Sequence, residues 1–358
     1  MGEKFHRLLA SLGLSQSSGL RRYPLLFIYS LILFYGIVFL VPIVPSQSNN
    51  ANPGTYKVKI LPQSSLSSIG RQLAAQGVSP FPWLVNVAGR ALFVGSKLRP
   101  GTYLLPINGS LASILLQIAR GDRVRESIAI IPGMTVWQLR AAVDAHPALI
   151  HQTKGITSKE LLQALNLGYS GDEGIFFPDT YIFDPDEPDI NIYRRASIAM
   201  QKHLNSAWAE RDPKSPLKSP YELLILASIV EKETGRNQDR GDIAGVFINR
   251  LNLKMRLQTD PTVIYGIGPK FNGNLRKTDL QKNTPYNTYI LKGLPPTPIS
   301  MPSKESLRAS ALPAQTDAIY FVAKGDGSSH FSTNLKEHEA AVDRYQRKPA
   351  AAAKAIKK

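Results

Sequence analysis

Alternating apolar and polar positions divide the chain into a short mixed region and a longer, mainly helical one. Over residues 56–121 the pattern predicts a strand, two helices, a second strand and a third helix. Further on, it predicts an aromatic strand within 174–183, an amphipathic helix over 192–208 and a glycine-turned hairpin over 318–333. We therefore expect an α+β protein with more than one domain.

The longer region is organised around one strongly apolar helix. Residues 223–230 are apolar except for Ser228, so most of the helix circumference should be buried. Ser219 is suited to cap its first amides, Pro220 to occupy its first turn and Gly235 to close it. The rest of the region is expected to pack around this helix.

A carboxylate, Glu231, stands where the apolar run ends. Successive helical residues turn by about 100°, so Glu231 should share a face with Ala227 and Ser228, whereas Glu233 should face water. Partial burial against an apolar wall raises the pKa of a carboxyl group and makes it a general acid near neutral pH. The alternative interpretation is a salt-bridged Glu at the exposed end of a core helix.

A charge-free run over residues 24–45 is long enough to be a membrane anchor. Cations precede it in the leader 1–22, and the positive-inside rule places that leader in the cytoplasm and the rest of the chain outside. A cleaved signal peptide is the alternative, although its apolar region normally spans only about 7–15 residues. Residues 46–55 read as a linker and 347–358 as a basic tail.

The amino-acid composition limits which catalytic groups the protein can use and which partners it can bind. The net charge of +16 indicates a polyanionic neighbour such as an anionic membrane or a cell-wall polymer, and nucleic acid is an unlikely target for an exported domain. The chain has no cysteine, which excludes thiol catalysis and cysteine-based metal sites. Its histidines form no HExxH pair, so we expect neither a metal nor a cofactor.

One polar loop is a candidate substrate-binding edge. Gln258, Thr259 and Asp260 bring several hydrogen-bonding side chains into one turn. The turn could equally well satisfy its own backbone. A second loop, over 284–289, is also polar and aromatic and contains Asn287. The aromatic strand within 174–183 could likewise line a sugar groove or simply form core.

Residues 98–106, LRPGTYLLP, return the chain to a second strand after two helices. This strand–helix–helix–strand order over 56–122 resembles a LysM module, a fold that binds cell-wall glycan. A spacer domain that binds nothing is the alternative.

Several longer motifs occur in one order: LASIVEKET, VFINRL, RLQTDPTVIYG, TPYNTY, GLPP and HFSTNL. Together they resemble the bacterial endolytic murein transglycosylase (MltG, YceG-like) family over about residues 55–346. The resemblance implies a catalytic domain over 123–346 that is built around the buried Glu-bearing helix.

The resemblance also implies an activity. Members cleave the β-1,4 bond between N-acetylmuramic acid and N-acetylglucosamine inside nascent strands, and they leave 1,6-anhydro ends. By resemblance Glu231 is the catalytic acid/base, Gln258, Thr259, Asp260 and Asn287 are substrate-binding residues, and peptidoglycan synthases are possible partners.

Three other functions stay open at this point. One is a hydrolytic muramidase that uses Glu231 with Asp260, and another is a non-catalytic wall-binding scaffold of the elongation or division machinery. The third is a penicillin-binding-type serine enzyme, which has only the weak spacing of Ser215 and Lys218 in its favour, because no KTG partner motif is present.

Overall fold

The computed structural model describes residues 22–43, 54–79 and 81–347. The chain divides into two compact units, Met1–Arg125 and Glu126–Lys358. The predicted tail beyond 347, nearly all of the leader and most of the linker lie outside the described residues. Mixed helices and small sheets make the protein α+β, as predicted.

The first unit contains the predicted order of strand, two helices and strand. Its described elements are α1 (Arg22–Leu40), β1 (Thr55–Ile60), α2 (Leu66–Ala75), α3 (Pro82–Ala91), β2 (Gly101–Pro106) and α4 (Leu111–Arg120). The strands β1 and β2 pair antiparallel, from Thr55 opposite Pro106 to Ile60 opposite Gly101. The side chains of Ser65 and Ser110 cap α2 and α4 by accepting bonds from amides three residues on.

Helix α1 covers most of the predicted anchor and ends at Leu40, two residues before Pro42. None of the helices described here is both long enough and apolar enough to cross a membrane. The anchor over 24–45 therefore stays a prediction.

The second unit holds the remaining elements in a helix-rich order. Its described helices are α5 (Val136–Asp144), α6 (Ser158–Ala164), α7 (Ile190–Ala209), α8 (Pro220–Glu233), α9 (Asn237–Asn252), α10 (Asp260–Ile267), α11 (Lys277–Gln281), α12 (Lys304–Ala311) and α13 (Leu335–Val342). Its described strands are β3 (Glu126–Ala129), β4 (Leu149–Ile150), β5 (Thr180–Phe183), β6 (Glu187–Pro188), β7 (Tyr320–Ala323) and β8 (Ser329–Ser332).

These strands form short two-stranded sheets. Strand β3 pairs antiparallel with β5, β4 pairs parallel with β6, and β7 and β8 form the predicted C-terminal hairpin. The aromatic strand belongs to the core, since Phe176 and Phe183 are buried and the Tyr181 hydroxyl donates to the Phe177 carbonyl at 2.8 Å. The sugar-groove interpretation of this strand is therefore wrong.

Helix α8 is the centre of this unit, as its apolar run predicts. Every residue over 223–230 is buried, and α7, α9, α10 and α12 all pack against the helix. Burying each large aliphatic side chain contributes about 1.5–3 kcal/mol, so the apolar run holds α8 firmly in the core. The helix ends at Glu233, because Thr234 is already extended, so Gly235 is not the closing residue.

Candidate active site

Two glutamates at the end of α8 have different surroundings. Glu231 lies in the last full turn of the helix, and Glu233 is its final residue. Because α8 is held by core packing, both carboxylates have fixed positions. What differs is which segments of the chain close over each of them.

Glu231 is enclosed by the start of α12 and by one arginine. Its Oε2 accepts bonds from the Ser303 amide at 2.8 Å, from the Ser303 hydroxyl and from Ser306 Oγ at 2.7 Å. Its Oε1 accepts a bond from Arg240 Nη2 at 3.3 Å, and the Glu231 and Arg240 side chains are only 6% and 9% exposed. The carboxylate thus compensates the N-terminus of α12 and forms a buried ion pair.

Glu233 forms no ion pair with a described residue, and it lines a cavity. The Thr259 hydroxyl donates to its Oε1. Burial raises the pKa of the Glu233 carboxyl to about 7, an effect that the Thr259 bond opposes, the Asp260 charge reinforces and the Arg250 charge opposes. The prediction that Glu233 faces water is wrong: the loop before α10 covers that side of the helix.

The cavity beside Glu233 has a volume of about 580 Å³ and mixed polar and aromatic walls. It is lined by Glu233, Arg250, Gln258, Thr259, Asp260, Tyr289, Tyr320, Phe321, Val322, Ala323, Ser329, Leu335, His338, Val342 and Gln346. Glu231 is not among these residues. One face comes from the β7–β8 hairpin and α13, and the other from the C-terminal ends of α8 and α9, the turn over 258–260 and the loop that carries Tyr289.

The turn over Gln258, Thr259 and Asp260, which was predicted to be a substrate-binding edge, forms part of the cavity wall. Gln258 adopts a φ of 51°, in the left-handed region that non-glycine residues rarely enter. The amide of Gln258 donates to the Thr288 carbonyl at 3.1 Å, and that of Thr259 to Thr288 Oγ1 at 3.1 Å. These bonds hold the Thr259 hydroxyl against Glu233.

Asp260 begins α10 and reaches the same cavity. Asp260 is exposed, and its Oδ1 accepts a bond from the Tyr289 hydroxyl at 2.5 Å. Gln258, Thr259 and Asp260 therefore all stand at the cavity, as the substrate-edge interpretation requires.

Asn287 does not stand there. It is fully buried, and its Nδ2 donates to the carbonyls of Leu280 at 3.0 Å and Lys282 at 2.8 Å. Its Oδ1 accepts from the Tyr289 amide at 2.9 Å. The structure corrects the expected substrate contact to a structural role: Asn287 braces the loop that presents Tyr289.

Sequence reasoning missed several cavity residues. Arg250 donates to the carbonyls of Ile319 and Leu257, both at 2.7 Å, and burial lowers its pKa. Tyr289 and Tyr320 complete the polar and aromatic wall. The sequence did contain a signal, since positions 249–250 and 284–289 are rich in polar and aromatic residues. These positions come together only through tertiary contacts, which the local pattern does not predict.

One acidic group in the described part of the chain has metal-like spacing but lies outside this cavity. It comprises Asp144, His151 and Asp189. Both oxygens of Asp189 already accept bonds, from the amides of Gln152 and Thr153 and from the Thr153 hydroxyl. The carboxylate is therefore a loop cap, and the group gives no support for a metal centre.

Glu233 combines a pKa raised by burial to about 7 with a position at a cavity that has polar and aromatic walls, which makes it a candidate general acid. A family model described as the YceG-like family matches residues 58–344. The chain belongs to this family.

Individual relatives agree. The chain is 42% identical over 176 residues to the endolytic murein transglycosylase of Bacillus subtilis (strain 168), a match that covers 48% of each protein. It is 34% identical over 192 residues to the endolytic murein transglycosylase of Streptococcus pneumoniae serotype 2, covering 51% of this chain and 34% of the relative. The matched part is thus half or less of each relative's length.

A solved structure extends the likeness to most of the fold. The crystal structure of a yceG-like protein from Listeria monocytogenes is 28% identical and superposes with a TM-score of 0.51, covering 80% of this chain and 98% of that one.

Proposed function

We propose that this protein is an endolytic murein transglycosylase in which Glu233 is the catalytic acid/base. The observation that carries the proposal is the position of Glu233: an unpaired carboxyl group with a pKa of about 7 at the wall of a 580 Å³ cavity. The family and the printed names of the relatives supply the reaction class and the substrate, peptidoglycan glycan.

Glu233 replaces Glu231 in this proposal because of how the two carboxyl groups are used. A general acid needs a transferable proton and an open path to the leaving oxygen. Both oxygens of Glu231 accept hydrogen bonds, and one of them forms an ion pair with Arg240, so the carboxylate is already engaged within the fold. Glu233 accepts from Thr259 and lines the open cavity, so it meets both requirements.

One carboxyl group is sufficient for this reaction. Glu233 protonates the bridging oxygen as the bond from C1 of the muramic sugar breaks, and the C6 hydroxyl of that sugar then attacks C1. The proton of the C6 hydroxyl returns to Glu233, which regenerates the acid. An internal nucleophile of this kind can have an effective molarity of about 10⁵ M or more, so no second carboxylate is needed to activate water.

Hydrolysis is the alternative reaction, because hydrolytic glycosidases use two carboxyl groups and Asp260 lines the same cavity as Glu233. The full-length chain in detergent would be incubated with peptide-free glycan strands in ¹⁸O-water, and the products analysed by mass spectrometry. We expect unlabelled anhydro ends, each lighter by one water than a reducing end, and fragments from the strand interior. Labelled reducing ends would establish hydrolysis instead.

We also propose that residues 24–45 anchor the protein in the cytoplasmic membrane with the catalytic unit outside. The support is the charge-free run with basic residues before it. A C-terminal reporter active only outside the cytoplasm should be active, and the full-mass protein should fractionate with membranes. A soluble, shortened product would show that the run is a signal peptide.

The first unit is proposed to be a LysM-like glycan-binding module. The support is its β1–α2–α3–β2 order with antiparallel pairing of the strands. Retention of a fragment spanning 54–125 on insoluble peptidoglycan would support it, provided that circular dichroism shows a folded fragment. Folded protein that stays unbound would make the unit a spacer. Peptidoglycan synthases as partners stay a prediction.

A further inference from the structure

The catalytic unit contains a second cavity besides the one that Glu233 lines. It has a volume of about 480 Å³ and is lined mainly by apolar and aromatic residues. At two places neighbouring residues of the chain separate the cavities: Lys232 lines the second and Glu233 the first, and Pro261 lines the second and Asp260 the first. Both cavities therefore lie beside the same two segments, the C-terminal turn of α8 and the first turn of α10.

The wall of this second cavity carries an aromatic platform. The rings of Trp137 and Tyr265 are stacked with centroids 4.8 Å apart and planes 28° apart, and Phe271 completes the lining. Trp137 is only partly buried, so one part of the indole is available to a ligand. Gln138 and Lys232 add an exposed amide and an exposed ammonium group at the edge.

The buried carboxyl group of Glu173 supports the two stacked rings, and the proposed reaction does not use it. Glu173 accepts bonds from the Val136 amide, at 3.0 Å to one oxygen, and hydrogen-bonds the Tyr265 hydroxyl. It thereby fixes both the first turn of α5, which carries Trp137, and the ring of Tyr265. The next residue, Gly174, has a φ of 77° and would place a Cβ 2.4 Å from Pro298, so the backbone around Glu173 has little freedom.

We propose that this second cavity is a subsite for further sugar rings of the same glycan strand, with Trp137 as the stacking surface. The inference rests on the proposed function for the identity of the strand. Pyranose rings present C–H faces that pack on aromatic rings and hydroxyls that bond amides and amines, and Trp137, Gln138 and Lys232 supply these groups.

An acidic stem peptide fits the lining less well. Lys232 is the lining cation, and one of its protons is already donated to the Gly133 carbonyl at 3.2 Å. Paired carboxylates are normally recognised by bidentate arginine, which this lining lacks among the described residues. The subsite would therefore recognise the sugars and tolerate strands with or without peptides.

Tryptophan fluorescence gives a binding measurement that is independent of cleavage. The chain has three tryptophans, Trp83, Trp137 and Trp208. In full-length Glu233→Gln protein, Trp83→Phe with Trp208→Phe leaves Trp137 as the only indole. Adding peptide-free glycan strands should quench or blue-shift its emission in a saturable way. The matched control, Trp83→Phe with Trp137→Phe and Trp208 kept, should lose this saturable change.

Kinetics supply the second readout, on protein that keeps Glu233. Trp137→Leu should raise KM for long strands about tenfold and change kcat less than threefold, while the matched Trp208→Leu variant keeps the KM of the parent. If Trp137→Leu does not fold, as judged by thermal melting, Trp137→Phe is measured and should raise KM by a smaller factor.

The two proposals fail in distinguishable ways. Unchanged Trp137 emission with peptide-free strands would overturn the subsite even if the protein cleaves glycan. Emission changes with peptide-bearing fragments alone would overturn it in favour of a peptide site. A saturable Trp137 signal in a protein whose parent forms no anhydro ends would support the subsite while the proposed reaction fails.

Discussion

Glu231 and Glu233 are two residues apart on one helix end, yet they occupy different electrostatic environments. Glu231 is paired with Arg240 and accepts bonds from the start of α12. Among the described residues Glu233 has one side-chain donor, the Thr259 hydroxyl, and no ion pair, and burial at the cavity wall raises its pKa to about 7. The two carboxyl groups therefore differ in what they offer a ligand: Glu231 is engaged within the fold, whereas Glu233 has a raised pKa and lines a cavity.

Removing the uncompensated carboxyl group should have the largest effect. Glu233→Gln preserves volume but has no acidic proton, so release of anhydro ends should fall about 10³-fold or more. The melting temperature should not fall, because a neutral amide suits the buried position. Retention of more than a tenth of the parental rate would show that Glu233 does not supply the catalytic proton.

Removing the paired carboxylate should act on stability instead. Glu231→Gln leaves Arg240 buried without its partner, and breaking a buried ion pair costs about 3–5 kcal/mol. Urea denaturation should show this loss, whereas kcat of the folded fraction should stay within about tenfold of the parent. A fully folded but inactive Glu231→Gln protein would return the catalytic role to Glu231.

Glu173 is a second buried carboxyl group, outside the cavity that Glu233 lines. It tests whether burial raises the pKa of a carboxyl group there as well. Burial raises its pKa to about 7, above its ordinary value of 4.5. The folded state then keeps a proton that the unfolded state releases, so this stabilisation is complete below about pH 4.5 and is lost as pH rises through 7. Glu173→Gln should flatten the fall in unfolding free energy between pH 5 and 8, by at most about 3 kcal/mol. A fall as steep as the parent's would show that Glu173 is ionised at both pH values.

Asp260 should produce the smallest change. Its charge helps to raise the pKa of Glu233, and it is a lesser cause than burial. Asp260→Asn should therefore move the alkaline limb of the pH–rate profile down by less than about one unit and leave the product an anhydro sugar. Complete loss of activity would favour Asp260 as the second catalytic group of a hydrolase.

The sequence predicted the scaffold better than the site. Helix α8, the C-terminal hairpin and the strand order of the first unit follow from local periodicity and capping residues, which act within a few positions of the chain. The helical wheel correctly separated Glu231 from Glu233. It could not show that α12 closes over the first and the loop at Thr259 over the second, because both contacts join residues far apart in sequence.

The same limit explains the polar loops. Gln258, Thr259 and Asp260 line the cavity, whereas Asn287 is buried behind it, although the loop compositions are alike. A polar residue in a loop bonds either a ligand or its own backbone, and only the fold decides which. Trp137 and Tyr265 were likewise unremarkable in sequence, being 128 positions apart before the fold stacks them.

The central claim is that the proton used in catalysis belongs to Glu233, and the pH dependence of kcat/KM tests it most directly. Initial rates of anhydro-end formation would be measured from pH 5 to 9 for the parent and for the Glu231→Gln and Thr259→Val variants. We predict a one-proton fall above about pH 7 in the parent and in Glu231→Gln. In Thr259→Val the limb should move to higher pH, because the Thr259 bond lowers the pKa of Glu233. A profile that is flat over this range, or a limb that Thr259→Val leaves in place, would contradict the assignment of the acid to Glu233.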